Sequence, residues 1–209
     1  MNIPELNRTQ RRVGEMRRSI IEAAESIVFE SGTAFLTTEE VAKRADVSIQ
    51  TVYNRVGGKP ALLIAIAERA LEENRKYMDE AYESSGTPEE RILRAALAYA
   101  RFAAERPHQF QVLANPPNEP EALVKVASLT QEQNQKLANV LRDGLKTGDM
   151  NPLIDPDDVA TAIWAMMNGV LGLAWRTDSL KADVDELNRL LATTFMIIGN
   201  GLRKPIVAF

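Results

Sequence analysis

Thr37-Thr38-Glu39-Glu40-Val41-Ala42-Lys43-Arg44-Ala45-Asp46-Val47-Ser48-Ile49-Gln50-Thr51-Val52-Tyr53-Asn54-Arg55-Val56 holds two short amphipathic segments around a tight turn. Thr37, with Glu40 three residues on, has the form of a capping box and starts a helix. Asp46 and Val47 make the turn, and Ser48 is placed to cap a second helix that stops at Gly57 and Gly58. Val41, Ala45, Val47 and Val52 fall where two such helices bury against a third, and the small Ala42 and Ala45 let them approach closely. Ile49, Gln50, Thr51, Tyr53 and Asn54 are then left on the outer face of the second helix. A polar face with one aromatic suits a helix placed in the major groove of DNA. A purely structural helical hairpin is the other reading of the same pattern.

Outward from this stretch, nearly everything reads as helix, because apolar residues recur at spacings of three and four and strict alternation is absent. A helix from about Gln10 to Ser31 precedes it, with Ile20, Ala24, Ile27 and Val28 inward and Gly32 as its stop. Lys59 and Pro60 open a long helix to about Ser84. Thr87 with Glu90 is a second capping box, for a helix to about Arg106. A short helix follows Pro107 and stops before Pro116 and Pro117; another runs from about Pro120 to Thr147. Asp155 with Pro156 starts the next, to about Thr177, and Asp183 or a neighbour starts the last, to about Arg203. The expectation is an all-α chain of about nine helices: an N-terminal three-helix unit over 1–58 and a larger helical unit over 59–209.

Composition removes several classes of function. Without cysteine there is no disulfide framework, thiolate metal site or cysteine nucleophile. His108 is the one histidine, it follows Pro107 at a helix start, and it has no partner at metal-binding spacing, so it reads as a first-turn surface or pocket-rim residue and no metal or cofactor is expected. The N-terminus has no apolar signal core, and the longest nearly apolar run, Ala162 to Trp175, is shorter than the ~20 residues a bilayer needs, so a cytoplasmic protein is expected. The net charge of −4 hides an uneven split: residues 1–59 hold 9 Lys/Arg against 8 Asp/Glu, and residues 60–209 hold 16 against 21. Arg8, Arg11, Arg12, Arg17 and Arg18 form a local basic cluster, which is either a DNA-proximal patch or a solvated face.

The two-helix stretch resembles the TetR family of bacterial repressors. The matching positions are Ala42, Ala45, Val47, Ser48, Thr51, Val52, Tyr53 and Lys59, with Leu62 and Leu63 following, and the resemblance covers about residues 17–71. It implies that Thr38 and Tyr53 bond backbone phosphates and that Lys59 adds a charge there, contacts that position the protein without carrying sequence information. Gln50, Thr51 and Asn54 would face base edges, where Gln or Asn can bond adenine at two points. With Arg17, Ser48 and Ile49 these make up the expected DNA-binding set. Many members carry Gly where Gln50 stands and an aromatic where Val56 stands, so the reading face is individual.

The remainder resembles the family in helix count and length, and there the resemblance implies an effector cavity and a dimer. Tyr82, Tyr99, Phe102, Phe110, Leu113, Trp164, Met167, Asn168 and Trp175 are the expected pocket residues, and Met166 is a further bulky candidate. Plain core is the rival reading of each, and Asn168 is either a pocket amide or a satisfied core amide. The last two helices are apolar beyond one face and carry Gly169, Gly172, Gly199 and Gly201, which suggests close approach of another backbone, as in a two-fold four-helix bundle. The implied function is a ligand-responsive, homodimeric repressor released from a pseudo-palindromic DNA operator by a small, largely apolar effector. The alternatives are a helical small-molecule- or partner-binding protein without DNA recognition and an enzyme. No nucleophile–base pair or Gly-rich phosphate loop supports the enzyme.

Overall fold

The computed structural model describes residues 8–116 and 118–204; Pro117, named above as a helix stop, lies outside them. Among the described residues the fold is nine α-helices: α1 (Arg8–Ser31), α2 (Thr38–Arg44), α3 (Ile49–Arg55), α4 (Lys59–Glu83), α5 (Pro88–Glu105), α6 (Pro107–Ala114), α7 (Pro120–Thr147), α8 (Pro156–Gly172) and α9 (Val184–Leu202). Extended pairing among them is limited to an isolated bridge between Met150 and Arg203.

Side-chain oxygens begin several of these helices by taking amides that have no intrahelical acceptor. Thr37 accepts from the Glu40 N–H at 3.1 Å, and Ser48 from the Thr51 N–H at 3.1 Å. The full reciprocal box forms at Thr87 and Glu90, while Asp155 and Asp183 cap α8 and α9 through their carboxylates. Two 3-10 turns were not foreseen. Thr33–Phe35 follows Gly32, and Leu173–Trp175 ends α8 earlier than the apolar run suggests. There the Ala182 N–H bonds the Leu173 carbonyl, folding the loop back on the helix end.

α4 is the hub of the packing. It meets α1 at its start and α5, α6 and α7 along its length, while α8 rests on α7 and carries α9. Ile20, Ala24 and Ile27 of α1, Val41 of α2, Val52 of α3 and Leu62, Leu63 and Ile66 of α4 are almost fully buried in one continuous core. Leu36, just before α2, is buried as deeply and was not singled out from sequence. Among the described residues no helix is long and apolar enough to cross a membrane.

Candidate functional site

α2 and α3 are seven residues each, too short to be stable as isolated helices. They persist because Val41 and Val52 are fully buried against α1, with Ala45, Val47 and Val56 packed around them. Asp46 takes the turn between them in the left-handed region, φ 52°, which an Asp tolerates better than a bulky residue. Behind α3, Gly57 has φ 122°, and a Cβ there would lie 2.8 Å from that of Ala61. The chain therefore turns directly from α3 into α4.

The turn leaves one face of α3 open. Ile49 and Tyr53 are about half exposed, and Gln50, Asn54 and Arg55 are exposed. Gln50 Nε2 donates to Asn54 Oδ1 at 3.0 Å, one turn along, so the two amides form a single outward unit. Ser48 Oγ and Thr51 Oγ1 are 2.8 Å apart, and Ser48 also caps the helix; both hydroxyls are engaged in holding the start of α3. The Tyr53 ring lies against the backbone at Gly58, where a Cβ would sit 3.6 Å from it. Lys59 is half-buried at the first residue of α4, beside this face.

Thr38 and Arg17, also in the expected DNA-binding set, have close neighbours within the protein. Thr38 is 6% exposed, and its hydroxyl donates to Glu39 in the first turn of α2. Arg17 is exposed and borders a groove between α1 and α4 lined by Arg18, Arg69 and Lys76 as well as by Glu22, Glu68, Glu72 and Glu73, so charges of both signs meet there.

A cavity of about 60 Å³ lies among α4, α5, α7 and α8. Tyr82, Tyr99, Leu113, Trp164 and Met167 are on its wall. Phe102, Phe110, Asn168 and Trp175, expected with them, are not. Phe102 and Phe110 are fully buried in an aromatic stack behind the wall, with Trp175 5.1 Å from Phe110 between ring centres. Asn168 accepts from the Tyr99 hydroxyl at 2.7 Å and so holds the tyrosine rather than facing the cavity. Helical periodicity finds inward residues, but it cannot say which of them border empty space.

The same reading missed Asn74 and Gln133, buried polar residues on the cavity wall facing in from α4 and α7. An isolated amide within an otherwise apolar helical stripe was the available signal. Burial pushes the Tyr82 and Tyr99 phenols well above their ordinary 10, so both stay neutral. Leu113, Thr130, Asn134 and Trp164 also border an open groove of about 800 Å³, which places the cavity one side-chain layer from solvent.

A third feature joins the two regions. His108 at the start of α6 stacks on Phe29 of α1, with ring centres 3.5 Å apart, and Gln109 donates to Glu25 of α1 at 3.2 Å. Burial lowers the His108 pKa below its ordinary 6.5. No group of three or more His, Cys, Asp or Glu among the described residues could hold a metal.

A model described as "Bacterial regulatory proteins, tetR family" matches residues 20–66, and one described as "Tetracyclin repressor-like, C-terminal domain" matches residues 92–195. The HTH-type transcriptional regulator BetI of Brucella canis is 32% identical over 88 residues, 42% of this chain. That match spans 43% of the relative, less than half its length. Among solved structures, a putative TetR-family transcriptional regulator from Rhodococcus sp. superposes with a TM-score of 0.76 at 20% identity, over 88% of this chain and 99% of that one. The transcriptional regulator FadR from Bacillus subtilis, in complex with stearoyl-CoA, does so with a TM-score of 0.75 at 19% identity, over 88% and 98%. The exposed face of α3 and the two matched models, one running from within α1 into the start of α4 and the other from α5 into α9, lead to one assignment: the chain belongs to the tetR family of bacterial regulatory proteins.

Proposed function

We propose that the protein is a ligand-responsive DNA-binding transcriptional regulator, a repressor released from a pseudo-palindromic operator when a small, largely apolar effector enters the cavity. The observation that carries this reading is the course of α4. It begins at Lys59, directly behind the exposed face of α3, and supplies Leu71, Asn74, Met78 and Tyr82 to the cavity wall. One helix thus starts directly after the proposed reading helix and lines the proposed effector site.

Reading is assigned to Gln50 and Asn54, whose linked amides can face base edges, and positioning to Tyr53 and Lys59. Ser48 and Thr51 hold the helix start in shape. A ligand for the cavity is in keeping with FadR, which shares the fold and whose structure holds stearoyl-CoA. Release follows if the effector binds two conformers unequally, since a ligand shifts an equilibrium only by its differential affinity.

A second copy of the chain completes the proposal. Met196 and Ile197 of α9 are 59% and 56% exposed, on a face that also exposes Ala192, Gly201 and, from α8, Ala162, Ala165 and Gly169. No neighbouring atom would meet a Cβ at Gly169 or Gly201, so the chain itself gives no packing reason for glycine there. Ile163, Met167, Leu171, Leu191 and Leu202 of the same two helices are buried within the protomer and belong to its own core.

The test is a nuclease-protection assay on the DNA flanking the gene. One two-fold symmetric footprint is expected, and a protein that protects no DNA at low salt would sink the proposal. Log affinity should fall linearly with log salt, by ~0.9 per neutralised phosphate, and Lys59→Ala should lower that slope by about one contact for every sequence alike.

A further inference from the structure

The effector cavity holds two amides that the protein itself leaves unsatisfied. Asn74 is 4% exposed and Gln133 8%, and both line the cavity. Asn74 Nδ2 and both polar atoms of the Gln133 amide have no hydrogen-bond partner. Burying an amide without a partner is unfavourable, and a leucine would occupy similar space at either position without that cost. Two such groups on one wall are poorly explained by packing and well explained by a ligand that bonds them.

The rest of the wall restricts what that ligand is. Its lining residues include no Asp, Glu, Lys, Arg or His, and its two tyrosines are neutral. An ion placed there would lose its water and gain no counter-charge. Leu71, Met78, Ile92, Trp164 and Met167 present an apolar surface, and the methionines can adapt to different shapes. The donors and acceptor left over set the head group: a carbonyl can accept from Asn74 Nδ2 and Gln133 Nε2, and an adjoining N–H or O–H can donate to Gln133 Oε1.

Size completes the picture. A volume of about 60 Å³ is well under the ~150 Å³ of an engineered cavity that takes up benzene. The cavity therefore accepts the head group and must widen for the body, and the groove beyond Trp164 and Leu113 provides the direction.

We infer that the effector is an uncharged molecule with an apolar body and one hydrogen-bonding head group, and that Asn74 and Gln133 recognise that head. This rests on the reading of the cavity as the effector site. Because Asn74 belongs to α4, the bond to the ligand is made on the helix that leads back to the reading face.

Three probes of equal length test this on the full chain: octanamide, octanoate and octylammonium. Binding is followed by tryptophan emission, since Trp164 lies on the wall. Octanamide should bind at least about tenfold more tightly than either ion. In the Asn74→Leu/Gln133→Leu double variant that preference should shrink to about twofold, while the melting temperature stays equal or rises, because unpaired amides have been removed. Equal or tighter binding of an ion overturns the inference, as does an undiminished preference in the double variant. A lower melting temperature in both Asn74→Leu and Gln133→Leu also overturns it, since the amides would then be bonded parts of the core. Failure of all three probes to give saturable binding in the millimolar range is a different result. It rejects the effector-cavity reading itself, and the inference with it.

Discussion

Glu25 is 6% exposed on α1, and its burial outweighs the attraction of Arg69, whose Nε lies 3.5 Å away. Desolvation is the largest influence, with Glu22 and Glu73 adding repulsion, and the Gln109 hydrogen bond only partly offsets it. The carboxyl is pushed up from its ordinary 4.5 to about 7. A raised folded-state value means that the native protein holds a proton the unfolded chain has already lost. The stabilisation is therefore complete below pH 4.5 and is lost as pH rises to about 7. Such a shift corresponds to roughly 3 kcal/mol across that window. Glu25→Gln should remove this falling component, so that denaturant melts between pH 5 and 8 show a variant that overtakes the parent at the alkaline end. Arg69 keeps Glu22 as a partner at 2.9 Å in the variant. At the same scale, Gln50→Ala should change which bases are preferred without altering the salt slope, because base reading is proposed for Gln50 and phosphate positioning for Lys59. Competition binding with operator variants separates the two.

At the scale of elements, α2 and α3 show how short helices depend on their surroundings. Each has a side-chain cap and a buried valine, and α1 supplies the surface against which both are held. The opposite situation holds at α9, whose exposed side carries Ala192, Met196 and Ile197 uncovered in the protomer, beside the polar Arg189, Thr193 and Asn200. Ile197→Glu should leave the fold and its helical signal unchanged, since the side chain is exposed in the monomer, and should shift sedimentation at micromolar concentration from dimer to monomer. DNA affinity should fall with it, because two half-sites are no longer gripped together. A wild-type chain that sediments as a monomer would remove the dimer from the proposal.

For the whole molecule, the question is how occupancy of the cavity reaches α3. α4 spans both regions, and the α1–α6 junction, where Phe29 meets His108 and Glu25 meets Gln109, is a second physical link. A coupling free energy works in both directions. A compound that weakens DNA binding by a given factor must bind the operator complex more weakly by the same factor. Titrating such a compound into free protein and into the protein–operator complex should give that ratio. Equal affinity in both would mean that the cavity and the reading helix are not coupled.

Features that depend on local order along the chain are readable from the residues alone. Helical periodicity, caps at Thr37, Ser48, Thr87, Asp155 and Asp183, and breaks at Gly and Pro placed nine helices to within a few residues, because these interactions lie within one turn of each other. The inward valines of α2 and α3 were legible for the same reason. Which buried side chains border a void depends instead on contacts between helices far apart in the chain. Phe102 and Tyr99 lie one turn apart on α5, yet Phe102 fills the core while Tyr99 faces the cavity, as a neighbouring helix determines. The burial of Thr38 and the exposure of Met196 and Ile197 are likewise set by packing between elements distant in sequence. Asn74 and Gln133 stand 59 positions apart and come to line one cavity when α4 and α7 pack together.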